Sequence, residues 1–324
     1  MNSYQSYFGK ALTWYLFGFL IIWLMKFFNI SWLLKKSLWL YLLGNFLLLL
    51  TLLIGTNVNG STSWLTFGPF SLQASEFMKI ALILYLYYFT EKNKLKETRY
   101  IVSTFLIVLL PSILTFLEPD TGALIPYLAI YLAFLINRNI NKWWYLGALA
   151  LLLIFGVSFL VLYYQFQSLF TELFGTAFFY RMDRITNFWL GEGYQINKAL
   201  TSIGSSGLFG RGIRSIPEYF PEAPTDFAFA LLINNLGLVG IVIFLLVYSF
   251  LLIKIIGLMN EKNKQLMLPI ILILLTQFGI NILMNVGLFP IIGITLPFIS
   301  YGGSNLLSYL ILMGLVIHHE HLLN

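Results

Sequence analysis

A chain of 324 residues with 59% hydrophobic and 10% charged positions cannot cover a water-facing surface, which in soluble domains takes about a quarter charged residues. Lipid must therefore be the solvent for much of the chain, and no linker or soluble-type stretch divides it, so one membrane domain over residues 1–324 is expected. The net charge of +6 sits mostly in short clusters between apolar runs, which argues against a nucleic-acid surface, and the lack of cysteine excludes disulfides, thiolate metal sites and cysteine nucleophiles.

A helix needs roughly 20 apolar residues to cross the hydrocarbon. In chain order the runs that qualify are Ala11–Phe28, Leu38–Gly55, Ser75–Phe89, Ile101–Leu117, Thr121–Ile136, Trp143–Tyr164, Phe227–Gly257, Leu266–Phe289 and Ser300–His318. The expected fold is an all-α polytopic membrane protein with about nine transmembrane helices. Lys10 precedes the first run, but no small-residue cleavage site follows, so this run reads as a retained span. The third and fifth runs are short for a span.

The connections alternate in charge. Lys26, Lys35 and Lys36 fill the first, Lys92, Lys94, Lys96 and Arg99 the third, Arg138 and Lys142 the fifth, and Lys254, Lys262 and Lys264 the one after the seventh span. Thr56–Ala74, Glu118–Asp120 and Pro290–Pro297 carry no Lys or Arg. The positive-inside rule puts the basic connections and the C-terminus in the cytoplasm. The one long connection, residues 165–225, is then extracytoplasmic, and loops of that length tend to carry function.

Ionisable groups within spans cost about 2.5–3.5 kcal/mol at mid-helix, so each calls for a reason. Glu76 and Lys79 share a helix face and can neutralise each other, either as a structural ion pair or as the lining of a cavity for a charged substrate. Glu118-Pro119-Asp120-Thr121-Gly122 reads as a turn with a helix-capping acid. The long loop holds Arg181, Asp183 and Arg184, then a glycine-rich run from Ile203 to Gly212 that fits neither a Walker loop nor a dinucleotide fingerprint. Its amides, with Arg211 and Arg214, either approach a phosphate or form a plain turn. Pro221-Glu222-Ala223-Pro224-Thr225-Asp226-Phe227 then leads into the seventh span, where Asp226 is placed as a helix N-cap in the first instance and as a general base in the second. The terminal His318, His319 and His321 read as incidental, and the outer loop offers no convincing metal-ligand spacing.

Four segments in order carry a resemblance: Gln73–Lys79, Glu118–Gly122, Pro221–Phe227 and Leu296–Ser304, with Tyr194-Gln195 and the run ending Gly207–Gly212 between them. Together they resemble the signatures of the SEDS family (shape, elongation, division and sporulation), over about Gly55 to His318. The resemblance implies a peptidoglycan glycosyltransferase of the bacterial cytoplasmic membrane that polymerises lipid II beside a class B penicillin-binding protein. It implies Asp226 as the essential carboxylate, with Glu76, Lys79 and Glu222 matching family positions, and Asp120, within the Glu118–Gly122 signature, counted with them as substrate-binding. Arg211, Arg214 or Lys79 would then face the pyrophosphate, with which a divalent cation can arrive. The sequence departs from the family in an absent N-terminal span, in Ala74 and Ser63, and in Asn234-Asn235 where an acidic pair is common. A lipid-precursor transporter and a non-catalytic scaffold for a penicillin-binding protein stay open as alternatives.

Overall fold

The computed structural model describes residues 2–27, 30–58, 61–68, 70–176, 193–212 and 222–318, together with 179, 182 and 188. Helices run in the order α1 Asn2–Met25, α2 Ile30–Lys35, α3 Ser37–Ile54, α4 Ala74–Lys92, α5 Glu97–Leu117, α6 Leu124–Asn137, α7 Lys142–Gln165, α8 Gln167–Phe174, α9 Tyr194–Gly204, α10 Ala228–Leu258, α11 Lys264–Asn285 and α12 Gly303–Ile317. Each expected apolar run has a helix as its body. Five of them (α3, α5, α7, α10 and α11) are long and apolar enough to cross a membrane by length and composition.

The chain divides into two compact units, one of residues 1–137 with 195–324 and one of residues 138–194. In the first, α4 is the central helix: it packs against α3, α5, α6, α11 and α12, and Met78, Leu82, Ile83 and Leu86 are fully buried. Outward faces carry apolar side chains instead, such as Leu246, Phe250 and Ile253 of α10, each more than 60% exposed, as a lipid-facing surface requires. α1 lies along α12, where Gly18 and Gly314 leave room for Leu310 and Met25, the close approach that small residues permit between membrane helices. In the second unit, α7 and α8 meet through a cluster of rings, Phe159, Tyr163 and Phe170.

Three features depart from the sequence expectation. The connection Thr56–Ala74 is a three-stranded antiparallel sheet, β1 Thr56–Val58, β2 Ser61–Phe67 and β3 Phe70–Gln73, with Leu65 opposite Leu72 and Phe67 opposite Phe70. The start of its middle strand is tied to the α5–α6 turn, since Ser61 Oγ and Thr62 N both donate to the Glu118 carbonyl, at 2.8 and 3.2 Å. The long connection is also not plain loop, for it contains α8 and α9.

The seventh apolar run is broken. A continuous helix of its 31 residues would be about 46 Å long at 1.5 Å per residue, well beyond the hydrocarbon. Gly237, at φ 67° and ψ −166°, interrupts it in a conformation only glycine adopts readily. The backbone groups freed at the break are bonded by the glycine-rich run. Leu238 N donates to Gly207 O and Val239 N to Leu208 O, while Arg211 N donates to Asn234 O and Gly212 N to Asn235 O, at 2.8–3.2 Å. The stretch 238–258 is left as the membrane-crossing length, and 228–236 forms a short piece ahead of it.

Candidate active site

Glu118, Asp120, Glu222 and Asp226 of the sequence motifs gather at one end of the first unit, where the sheet, the α5–α6 turn, the segment before α10 and the segment before α12 meet. Asp120 joins the turn to the start of α4: its Oδ2 accepts from Gln73 Nε2 at 2.7 Å and from Ser75 Oγ at 3.1 Å. Gly122 of the same turn rests on residues 292–293, where a Cβ would lie 2.7 Å from Ile292 O and 2.9 Å from Gly293 O. Gly293 in turn faces Asp226, whose Oδ2 is 3.8 Å from the point where a Cβ on that glycine would stand. The turn and the loop aspartate are thus separated by little more than one glycine backbone.

Asp226 is half-buried and does not cap α10. Phe227 holds the N-cap position, and the loop before it is fixed through its backbone. Thr225 N and Phe227 N donate to Glu222 O, at 3.2 and 3.0 Å, and Thr225 Oγ1 donates to the Glu222 carboxylate at 2.5 Å. Glu222 has φ 59°, a left-handed conformation that costs a non-glycine residue about 1–3 kcal/mol and persists where such bonds hold it. Ser300 Oγ donates to Thr225 O at 2.5 Å, and Tyr301 N to Pro224 O at 2.8 Å. The Leu296–Ser304 motif therefore acts here as the brace of the Asp226 loop.

Electrostatics follow from this placement. Burial first, then the charges of Glu222 and Asp120, push the Asp226 carboxyl up to about 7. Burial also raises Asp120, against the hydrogen bonds from Gln73 and Ser75. Glu118, fully buried behind the turn, is pushed up to about 9 by burial and by the neighbouring Asp120. A carboxylate near 7 can take up a proton at neutral pH, which is what a general base requires.

Deeper in the bundle, Lys79 Nζ is 2.7 Å from Glu76 Oε2, with both side chains buried. Ser308 Oγ donates to the same carboxylate oxygen at 2.7 Å, and the Lys79 ammonium lies 4.7 Å from the centre of the Tyr309 ring. Tyr309 OH is bonded to Gln277 Oε1. Glu76 is linked to the acidic end through α4 itself, since Ser75, its neighbour, bonds Asp120.

The glycine-rich run does not offer a phosphate cradle at Arg211 and Gly212, because those amides are spent on the broken helix. The Arg211 side chain is exposed and its Nε donates to Ser205 O at 3.2 Å, within its own loop. Arg214, Arg181, Asp183, Arg184, His319 and His321 lie outside the described residues. Among the described residues no three His, Asp or Glu side chains converge as a metal site. Beside Asp226, a cleft of about 340 Å³ opens between α1 and α10, lined by Trp14, Tyr15, Pro224, Ala228, Leu231 and Asn235 among others. Neither this cleft nor the part of Asn281 and Asn285 is evident from the sequence, although their polar side chains recur every four residues from Gln277 along the apolar α11.

The comparisons with known proteins agree with this architecture. The FtsW/RodA/SpoVE family model, described as cell cycle protein, matches residues 1–323. The probable peptidoglycan glycosyltransferase FtsW of Coxiella burnetii is 36% identical over 300 residues, covering 86% of this chain and 77% of that protein. Stage V sporulation protein E of Bacillus subtilis is 36% identical over 293 residues, covering 84% and 75%. Among solved structures, a chain from "Structural coordination of polymerization and crosslinking by a peptidoglycan synthase complex" superposes with a TM-score of 0.80 at 25% identity, covering 98% of this chain and 89% of that one. The rod shape determining protein RodA of Thermus thermophilus gives 0.68 at 25% identity, covering 97% and 86%. With its helices, its acidic end and these relatives in agreement, the chain is a multi-pass membrane protein that belongs to the FtsW/RodA/SpoVE family.

Proposed function

We propose that this protein is a peptidoglycan glycosyltransferase that polymerises lipid II, with Asp226 as its general base. In the reaction, a sugar hydroxyl of one substrate attacks the anomeric carbon of the other. The bond from that carbon to the pyrophosphate oxygen breaks, undecaprenyl pyrophosphate leaves, and the hydroxyl proton passes to Asp226. The observation that carries this reading is the Asp226 carboxylate itself: it takes no part in capping its helix, and it is pushed up to about 7. The names of relatives as peptidoglycan glycosyltransferases support the same reaction.

The neighbouring groups have roles in this reading. Asp120 and Glu222 tune the base by their charge and line the sugar site. Glu76 and Lys79 form the charged floor, and Arg211, exposed on the long loop, is the described cation nearest in kind to what a pyrophosphate needs. A divalent cation, if used, arrives on the substrate's phosphates. The apolar cleft beside Asp226 suits a polyprenyl chain, with membrane lipid as its surroundings. The long loop and the acidic end face outward and the C-terminus faces the cytoplasm, by the alternation of basic connections. A class B penicillin-binding protein is the expected partner, in keeping with the synthase complex among the structural neighbours.

The test is glycan formation from purified lipid II with the cognate penicillin-binding protein present, comparing wild type with Asp226→Asn. Polymer from wild type alone is expected. Equal polymer from both would remove Asp226 from the mechanism, and none from either folded protein would favour a transporter or scaffold.

A further inference from the structure

The first amides of a helix need acceptors from outside it, and a nearby aspartate is among the best. At the start of α10 that aspartate would be Asp226, yet Ala230 N donates at 2.9 Å to Asn285 Oδ1, from the far end of α11. The Nδ2 of the same carboxamide turns back and donates to Asp226 O at 3.0 Å. One turn earlier, Asn281 Nδ2 donates to Asp226 O at 2.9 Å and to Ile294 O at 2.7 Å, beside the glycine that faces the Asp226 carboxylate. Both asparagines are fully buried.

We infer that Asn285 and Asn281 are positioning residues for Asp226, holding its main chain and capping α10 in its place so that its carboxylate stays unengaged for the reaction. A buried carboxamide on an apolar helix is costly unless its donors and acceptors are met. Here the Asn285 carboxamide meets that need on both sides of Asp226, as acceptor for the helix that follows and donor to the carbonyl of the residue itself. Without it, the open amides of α10 would draw the nearest carboxylate, and a base that is already a hydrogen-bond acceptor is a weaker one. The catalytic consequence rests on the general-base reading above, whereas the capping role does not.

The titration of Asp226 reads this directly. The chain has three aspartates, so protein labelled at the Asp side-chain carboxyl with ¹³C gives few signals, and Asp226→Asn assigns the one of interest. The charged groups that bear on Asp226, Glu222 from its own loop and Asp120 from the α5–α6 turn, stay in place in every variant. In Asn285→Ala the freed amides recruit the carboxylate, and its pKa is expected to fall by about one unit or more. In Asn285→Asp the acceptor for Ala230 remains while a negative charge is added, so the pKa is expected to rise. Polymerisation by Asn285→Ala should lose about 10²-fold in kcat with KM unchanged and with its acid limb displaced to lower pH. An unmoved carboxyl in the folded variants, or shifts of the same sign, would overturn the inference and leave the asparagines as packing groups. If the alanine variant does not fold, Asn285→Asp alone decides, because it keeps the helix start. Wild-type polymerisation by Asp226→Asn would sink the base assignment without touching the titration result.

Discussion

Gly210 lies against Gly237 so closely that neither position has room for a side chain. A Cβ on Gly210 would stand 2.6 Å from Gly237 N and 2.5 Å from Asn235 C, and one on Gly237 would meet Gly210 N and come within 2.6 Å of Leu208 C. Both residues also have positive φ, 74° and 67°. The glycine-rich run and the helix break are therefore one structure, and each glycine is required by the other.

Gly210→Ala and Gly237→Ala should each destabilise the protein by about 2–4 kcal/mol, from left-handed strain added to contact with backbone that cannot yield. Gly204→Ala, where a Cβ meets nothing within 4 Å, is the matched control and should be neutral. Thermal unfolding in detergent measures all three.

Glu118 gives a pH dependence of stability. Its folded pKa of about 9 lies above the ordinary value of 4.5, so between those limits the folded state holds a proton that the unfolded chain has lost. The neutral carboxyl's contribution is present below 4.5 and is lost as pH rises toward 9. Glu118→Gln should remove this slope and stabilise by about 1–3 kcal/mol at alkaline pH, with little effect at pH 4. Unfolding midpoints across that range that run parallel for the two proteins would contradict it.

The Glu76–Lys79 pair should show strong coupling. Removing one partner leaves the other charged and buried, a loss of about 3–5 kcal/mol, so Glu76→Gln and Lys79→Met should each cost that much and the double variant distinctly less. Glycan formation by the double variant separates its roles, since wild-type polymerisation would make the pair structural only.

Asp120→Asn should move the acid limb of polymerisation to lower pH. Its negative charge helps to raise Asp226, so neutralising it lets Asp226 ionise earlier. A shift of up to about one unit is expected, read from initial rates between pH 5 and 9.

Much of the bundle was legible because apolar length is a strong signal, and Glu76 and Lys79 stand out against it as paired charges. The sheet of residues 56–73 was not, since strands of 3–7 residues without clean alternation look like any polar connection. The break at Gly237 left only a glycine inside an apolar run, and its partner lay in a different segment. Asp226 shows the limit most clearly. Locally it is a good cap, and only a carboxamide brought 59 residues along the chain takes that role from it.

The same distance has a bearing on how the enzyme is made. The groups described as gripping the Asp226 loop from elsewhere, Asn281, Asn285, Ser300 and Tyr301, lie 55 to 77 residues beyond the points they hold. The ribosome thus delivers Asp226 first and these supports last. A nascent chain that has just released α10 into the bilayer holds Asp226 only through the local bonds to Glu222, and the loop gains its remaining supports when α11 and the start of α12 have been inserted.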